Sequence, residues 1–229
     1  MAKILIYSAQ DTMALELVSA ARLIGGERGA EIAALVLNND EQGQVLTDAG
    51  VNVYRVNAAD LVLSDVATVA DVIAQGVQQL GAEIVLLSSD RRGKELAGSL
   101  AQIIGAGCIT DVSAIQVKEG RIECQRNALG GATVATQYIE GDRQVLAVAP
   151  KVFPPAVGEG GSVSELQVTV KPSAIKVLEV RAKESDSVNI DEAAVIVAVG
   201  QGLRSSEDLA MAEALAQSLG GVVACSKPV

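Results

Sequence analysis

Two unbroken apolar runs, at 84–87 and 193–199, constrain this chain more than any other feature. Each is followed by a turn and then by apolar residues at helical spacing. A run without alternation reads as a strand buried on both faces, which arises where parallel strands are covered by crossover helices. After 193–199 come Gly200-Gln201-Gly202 as a tight turn, then Ser205, Ser206, Glu207 and Asp208 as a helix start. Serine accepts the free N–H groups there, and the acids sit at the positive end of the dipole. Leu209, Ala212, Leu215, Ala216 and Leu219 make one helical face, and Gly220-Gly221 closes it. Residues 222–225 then begin a second strand, four residues before the sequence stops. A strand–helix–strand unit of about forty residues buries too little surface to stand alone. The expectation is that a partner completes its sheet, or that the chain is part of a longer one.

Residues 3–104 repeat the same alternation. Strands are expected at 3–7, 31–37, 51–56 and 84–87, with helices at 12–24 (ended by Gly25-Gly26), 42–49, from a Ser64 cap to Leu80, and 94–104 (stopped by Gly105). From Cys108 onward the texture changes to strands at 109–117, 121–126, 133–139, 145–148 and 176–180, joined by short turns. All five prolines fall after residue 149, and 181–189 is polar and without periodicity. The expected architecture is therefore an α/β domain with a doubly wound, mostly parallel sheet at 1–180. A linker at 181–190 and an incomplete Rossmann-like strand–helix–strand unit at 191–229 follow it.

Composition removes several function classes. The net charge is −10 and aromatic residues are 2% of the chain, without tryptophan. Nucleic-acid binding needs a phosphate-neutralising surface, and single strands also need stacking rings, so a nucleic-acid partner is not expected. With no histidine, neither a Ser-His-Asp nor a Cys-His arrangement can form. Cys108, Cys124 and Cys225 are odd in number and far apart, which reads as free thiols in a reducing cytoplasm rather than disulfides or a zinc site. No apolar stretch approaches the roughly eighteen residues of a membrane span.

Three segments have the chemistry of a site, and each has a plainer reading. Gly200-Gln201-Gly202 with Ser205 is a G-x-G-x-x-S variant of the dinucleotide fingerprint, which carries backbone N–H groups toward a nucleotide or flavin. It also reads as an ordinary strand-to-helix turn. Ser88-Ser89-Asp90-Arg91-Arg92-Gly93-Lys94 lies where ligands bind in open α/β sheets, and its cations suit an anion or an acidic surface; it also reads as a solvated loop. Leu129-Gly130-Gly131-Ala132 is a close backbone approach or simply a turn.

Together these segments resemble the alpha subunit of the electron transfer flavoproteins. The resemblance runs from Ser89–Ala97 through Gly105-Ala106-Gly107 and Thr110-Asp111-Val112 to Gly130-Gly131-Ala132, Ala149-Pro150 and Phe153. It continues in Gly200-Gln201-Gly202, where the family has Gly-Arg-Gly, and in Ser226-Lys227-Pro228, where it has Ser-Arg-Pro. Gln201 and Lys227 thus replace family arginines, Thr133 replaces an asparagine, and the family's later Ser-Gly-x-x-Gln-His segment is absent. The resemblance implies that the 191–229 unit is of the FAD-binding type and that FAD is bound through Gly200, Gln201, Gly202, Ser226 and Lys227. It further implies a heterodimer with a beta-type subunit, relaying electrons from dehydrogenases to a quinone reductase or another acceptor. Such a protein is an electron carrier and not an enzyme with its own substrate. The alternative is a flavin-free nucleotide-binding or structural module of the same fold.

Overall fold

The computed structural model describes residues 3–180, 190, 193–203 and 206–225. The chain divides into two units, Met1–Val177 and Leu178–Val229. The first opens with β1 (Lys3–Tyr7), α1 (Asp11–Arg28), β2 (Glu31–Leu37), α2 (Asp40–Asp48), β3 (Asn52–Val56), α3 (Val66–Leu80), β4 (Ile84–Ser88) and α4 (Arg91–Ile104). A meander of β5 (Gly107–Lys118), β6 (Arg121–Ala128) and β7 (Thr133–Gln137) follows, then β8 (Gln144–Val148) and β9 (Val163–Glu165). All nine strands join one sheet in the order β7-β6-β5-β8-β4-β1-β2-β3-β9. Only the β5/β6 and β6/β7 pairs are antiparallel. This is the doubly wound, mostly parallel sheet expected, and its strand order reverses between β1 and β4.

Alternate residues of the central strands feed opposite faces, as the two-residue strand period requires. Ile4, Ile6, Val36, Ile84, Leu86 and Leu146 pack under α1, while Leu5, Leu35, Leu37, Val85 and Leu87 pack under α3 and α4. The largest fully buried side chains are all leucine or isoleucine, so a chain poor in aromatics fills its core with aliphatics.

Several boundaries differ from the sequence reading, each for a local reason. Helix α1 does not stop at Gly25-Gly26; it runs to Arg28, and Gly29 (φ 63°) caps it by donating its N–H to the Gly25 carbonyl. Ser64 does not cap α3. Asp65 does, accepting the N–H groups of Ala67 and Thr68. Helix α4 begins at Arg91 and not at Lys94, because Asp90 caps it. Strand β7 ends at Gln137, two residues short of 139. The expected strand at 176–180 is absent; those residues are exposed and belong to no helix or strand. Strand β9, which lengthens the sheet beyond β3 by a parallel pairing, was hidden in sequence by its three-residue length.

The second unit consists of β10 (Ile196–Val199), α5 (Ser206–Ser218) and β11 (Val222–Cys225), with the two strands parallel in the register Val199↔Cys225. This is the expected crossover, but the expected two-faced burial is not present. Strand β10 covers only 196–199 of the run, and its residues alternate between exposed and partly covered. On α5, Ala216 is buried, whereas Leu215 is 51% exposed and Leu219, just past the helix end, is 54% exposed. A two-stranded sheet offers one helix one face and leaves the rest in water. The expected linker at 181–190 lies outside the described residues apart from Ile190, as does the Ser205 cap.

Candidate functional site

The turn Gly200-Gln201-Gly202 follows β10 directly, at the carboxyl end of the two-stranded sheet. Leu203 N–H donates to the Gly200 carbonyl at 3.3 Å, reversing the chain ahead of α5. A side-chain carbon on Gly200 or Gly202 would meet none of the described atoms within 4 Å. Packing among the described residues therefore does not demand either glycine, and toward them the turn leaves room for close backbone approach by another group. Gln201 is exposed beside it. Strand β11 ends alongside at Cys225, while Ser226 and Lys227 lie outside the described residues. The first turn of α5 carries Glu207 and Asp208, negative charge that stabilises a helix start and competes with an incoming anion.

The basic segment of the first unit has the opposite character. Asp90 Oδ1 accepts Gly93 N–H at 2.6 Å. Gly93 is obligatory: a side-chain carbon there would lie 1.7 Å from the Ser88 carbonyl oxygen, so α4 presses directly on the end of β4. Arg91, Arg92 and Lys94 thus stand in the first helical turn and not in a loop ahead of it, with cations at the unfavourable dipole end. Lys94 is offset by Asp111, its Nζ 2.6 Å from Oδ1, and Arg126 lies 3.8 Å from Oδ2. Asp111 sits at φ 57°, where β5 shifts register against β8, and donates its N–H to the Ser89 hydroxyl at 3.0 Å. The Lys94 hydrogen bond outweighs burial and holds the Asp111 carboxyl below the usual range. Arg91 and Arg92 are exposed on a cleft of about 500 Å³ beside Ser64 and Asp65.

The carboxyl edge of the large sheet is largely occupied by its own side chains. Asn39 takes Gln42 N–H at the start of α2, Asp65 takes two N–H groups of α3, and Asp90 takes one of α4. Helix α1 has no side-chain cap, but Asp11 stands in its first turn. At the end of β1, beside the crevice where strand order reverses, burial pushes the Tyr7 phenol up to about 12. An anion arriving at α2, α3 or α4 would have to displace a capping side chain.

Leu129-Gly130-Gly131-Ala132 is a turn: Leu129, Gly130 and Gly131 have φ of 51°, 66° and 90°, linking β6 to β7. The three cysteines are free thiols; Cys108 and Cys225 are exposed, Cys124 is buried and pushed up to about 11 by that burial. Among the described residues no group of histidine, cysteine and carboxylate side chains is placed to hold a metal ion, and no helix is long and apolar enough to cross a membrane.

The sequence profile described as "Electron transfer flavoprotein domain" matches residues 9–173, and that described as "Electron transfer flavoprotein FAD-binding domain" matches 189–229. The chain is 29% identical to Protein FixB of Escherichia coli O127:H6 and to Protein FixB of Shigella flexneri. Each alignment runs over 230 residues, covering 98% of this chain and 71% of the relative. The open glycine turn lies inside the second match and the self-capped edge inside the first.

Proposed function

The chain belongs to the electron transfer flavoprotein family as an alpha-type subunit, and we propose that its second unit holds FAD while its first serves as scaffold and subunit interface. The observation that carries this division is the contrast between the open Gly200-Gln201-Gly202 turn and the capped helix starts of the first unit. Backbone N–H groups of the turn would hold the cofactor's phosphates, and Ser226 and Lys227 would be further contacts. FAD, when bound, would supply the single-electron chemistry. The residues of this chain would bind and orient it, and Lys227 would contribute a positive charge to the site. The exposed face of α5 fits a unit that is completed by further protein surface.

In this reading the protein is a cytoplasmic electron carrier. It works as a heterodimer with a beta-type subunit, between dehydrogenase donors and a quinone reductase or similar acceptor. Glu207 and Asp208 favour one competing reading, a flavin-free module, because they oppose an anion at the start of α5. Co-expression with a beta-type subunit separates the two. Near one FAD per heterodimer supports the carrier, and a stable heterodimer without flavin supports the module.

A further inference from the structure

We propose that residues 166–175 form a clasp along α3 that fixes the length and exit point of the tether leading to the second unit. Beyond β9 the chain runs antiparallel to α3 without joining any sheet. Its even positions Leu166, Val168 and Val170 pack on the apolar cluster under α3 and α4. Its odd positions meet polar residues of the helix in register. Gln79 Nε2 donates to the Gln167 carbonyl at 2.8 Å. Gln75 donates to the Thr169 carbonyl at 2.8 Å and accepts the Thr169 N–H at 2.9 Å. Lys171 pairs with Asp71, and Ser173 Oγ donates to Asp65 Oδ2 at 2.6 Å.

The two repeats are commensurate. Fourteen steps of helix from Asp65 to Gln79, at about 1.5 Å each, span about 21 Å. Six steps of extended chain from Gln167 to Ser173, at about 3.3 Å each, span about 20 Å. Four successive anchor points can therefore close together, and any one of them pulls the others into register. While it is closed, it brings Ile175 beside Arg91 and Arg92 at the carboxyl edge, two residues before the first unit ends at Val177. Opened back to Leu166, it gains about ten residues of reach, up to about 33 Å. The clasp lies wholly within the first unit and does not depend on flavin.

The test uses the full chain and the double variant Gln75→Ala/Gln79→Ala, which removes three rungs from the helix side. Thr169→Pro serves as a second route: it deletes one rung from the strap and leaves α3 untouched. Amide exchange reads the clasp. Thr169 should exchange at least tenfold faster in the double variant, with β1 and β4 amides unchanged; unchanged exchange within 166–175 would refute the clasp. Distance distributions between spin labels at Ala74→Cys on α3 and Met211→Cys on α5, in a background without the native thiols, read the reach. Opening should extend the distribution to longer distances. A distribution that stays the same while 166–175 loses protection would overturn control of the tether.

Discussion

The two units answer the same structural problem with opposite results. In the first, a parallel sheet is covered on both faces and its central strands are almost wholly buried: Ile84, Val85, Leu86 and Leu87 are each at most 1% exposed. In the second, a strand run of similar composition is half in water, because among the described residues one helix and one neighbouring strand pack against it. The ends of the strands differ as well. The first unit caps its helices with its own side chains, Asn39, Asp65 and Asp90 accepting backbone N–H groups. In the second, the turn after β10 carries Gly200 and Gly202, where an added side-chain carbon would meet none of the described atoms within 4 Å. Burial and openness are thus divided between the described parts of the two units, the division on which the proposed scaffold and cofactor-binding roles rest.

The largest effect should separate the two cores. Leu100→Ala removes a fully buried side chain and should cost about 2–5 kcal/mol. Leu215→Ala, at a half-exposed position of α5, should stay within about 0.5 kcal/mol. Chemical denaturation of both variants checks this, and equal losses would break the distinction. Next comes the close approach at α4. Gly93→Ala forces a side-chain carbon into the Ser88 carbonyl and should cost about 1–3 kcal/mol. Gly202→Ala meets none of the described atoms and should leave stability unaltered while weakening flavin uptake by the heterodimer.

Asp65 sharpens the comparison through pH. The Ser173 hydrogen bond outweighs the opposing effect of burial, and with those from Thr68 and Ala67 it holds the carboxyl below its ordinary value. A carboxylate depressed in the folded state contributes stability that is present above the unfolded value of about 3.9 and is lost as pH falls through the folded value. Asp65→Ala should therefore cost about 1 kcal/mol near neutrality. The gap from wild type should narrow as the solution is acidified below about pH 4; a gap that widens would refute the assignment. The smallest effect concerns Lys227. If its charge lies near the flavin, Lys227→Gln in the flavin-loaded heterodimer should lower the first reduction potential by about 40 mV, equivalent to about 1 kcal/mol for one electron. A shift under about 20 mV would place the lysine away from the ring.

Much of this was legible in sequence because strand burial writes an unbroken apolar run. The parallel core, the crossovers and both candidate turns could be placed from such runs and the glycines between them. Helix boundaries were less legible because neighbouring residues compete for one role. Ser64 and Asp65 both suit a cap, and the carboxylate takes the N–H groups. Gly25-Gly26 resembles a stop, but Gly29 supplies the left-handed cap. The carboxylate network around Asp111 joins Ser89, Lys94 and Arg126, residues far apart in sequence, and no local pattern announces it. The clasp did leave a signal: Leu166, Val168 and Val170 alternate with polar residues, a strand pattern whose partner is a helix. The exposure of the second unit was legible in part: a strand–helix–strand unit of about forty residues buries too little surface to stand alone, although the apolar run by itself signals burial on both faces.

The most direct test of the division between the units is the flavin content of the purified heterodimer in three forms: wild type, Gly202→Val and Arg91→Ala/Arg92→Ala. The account predicts about one FAD per wild-type heterodimer, little or none with Gly202→Val, and an unchanged amount with the arginine pair replaced. Flavin retained with Gly202→Val and lost with the arginine variant would place the cofactor on the first unit and contradict it.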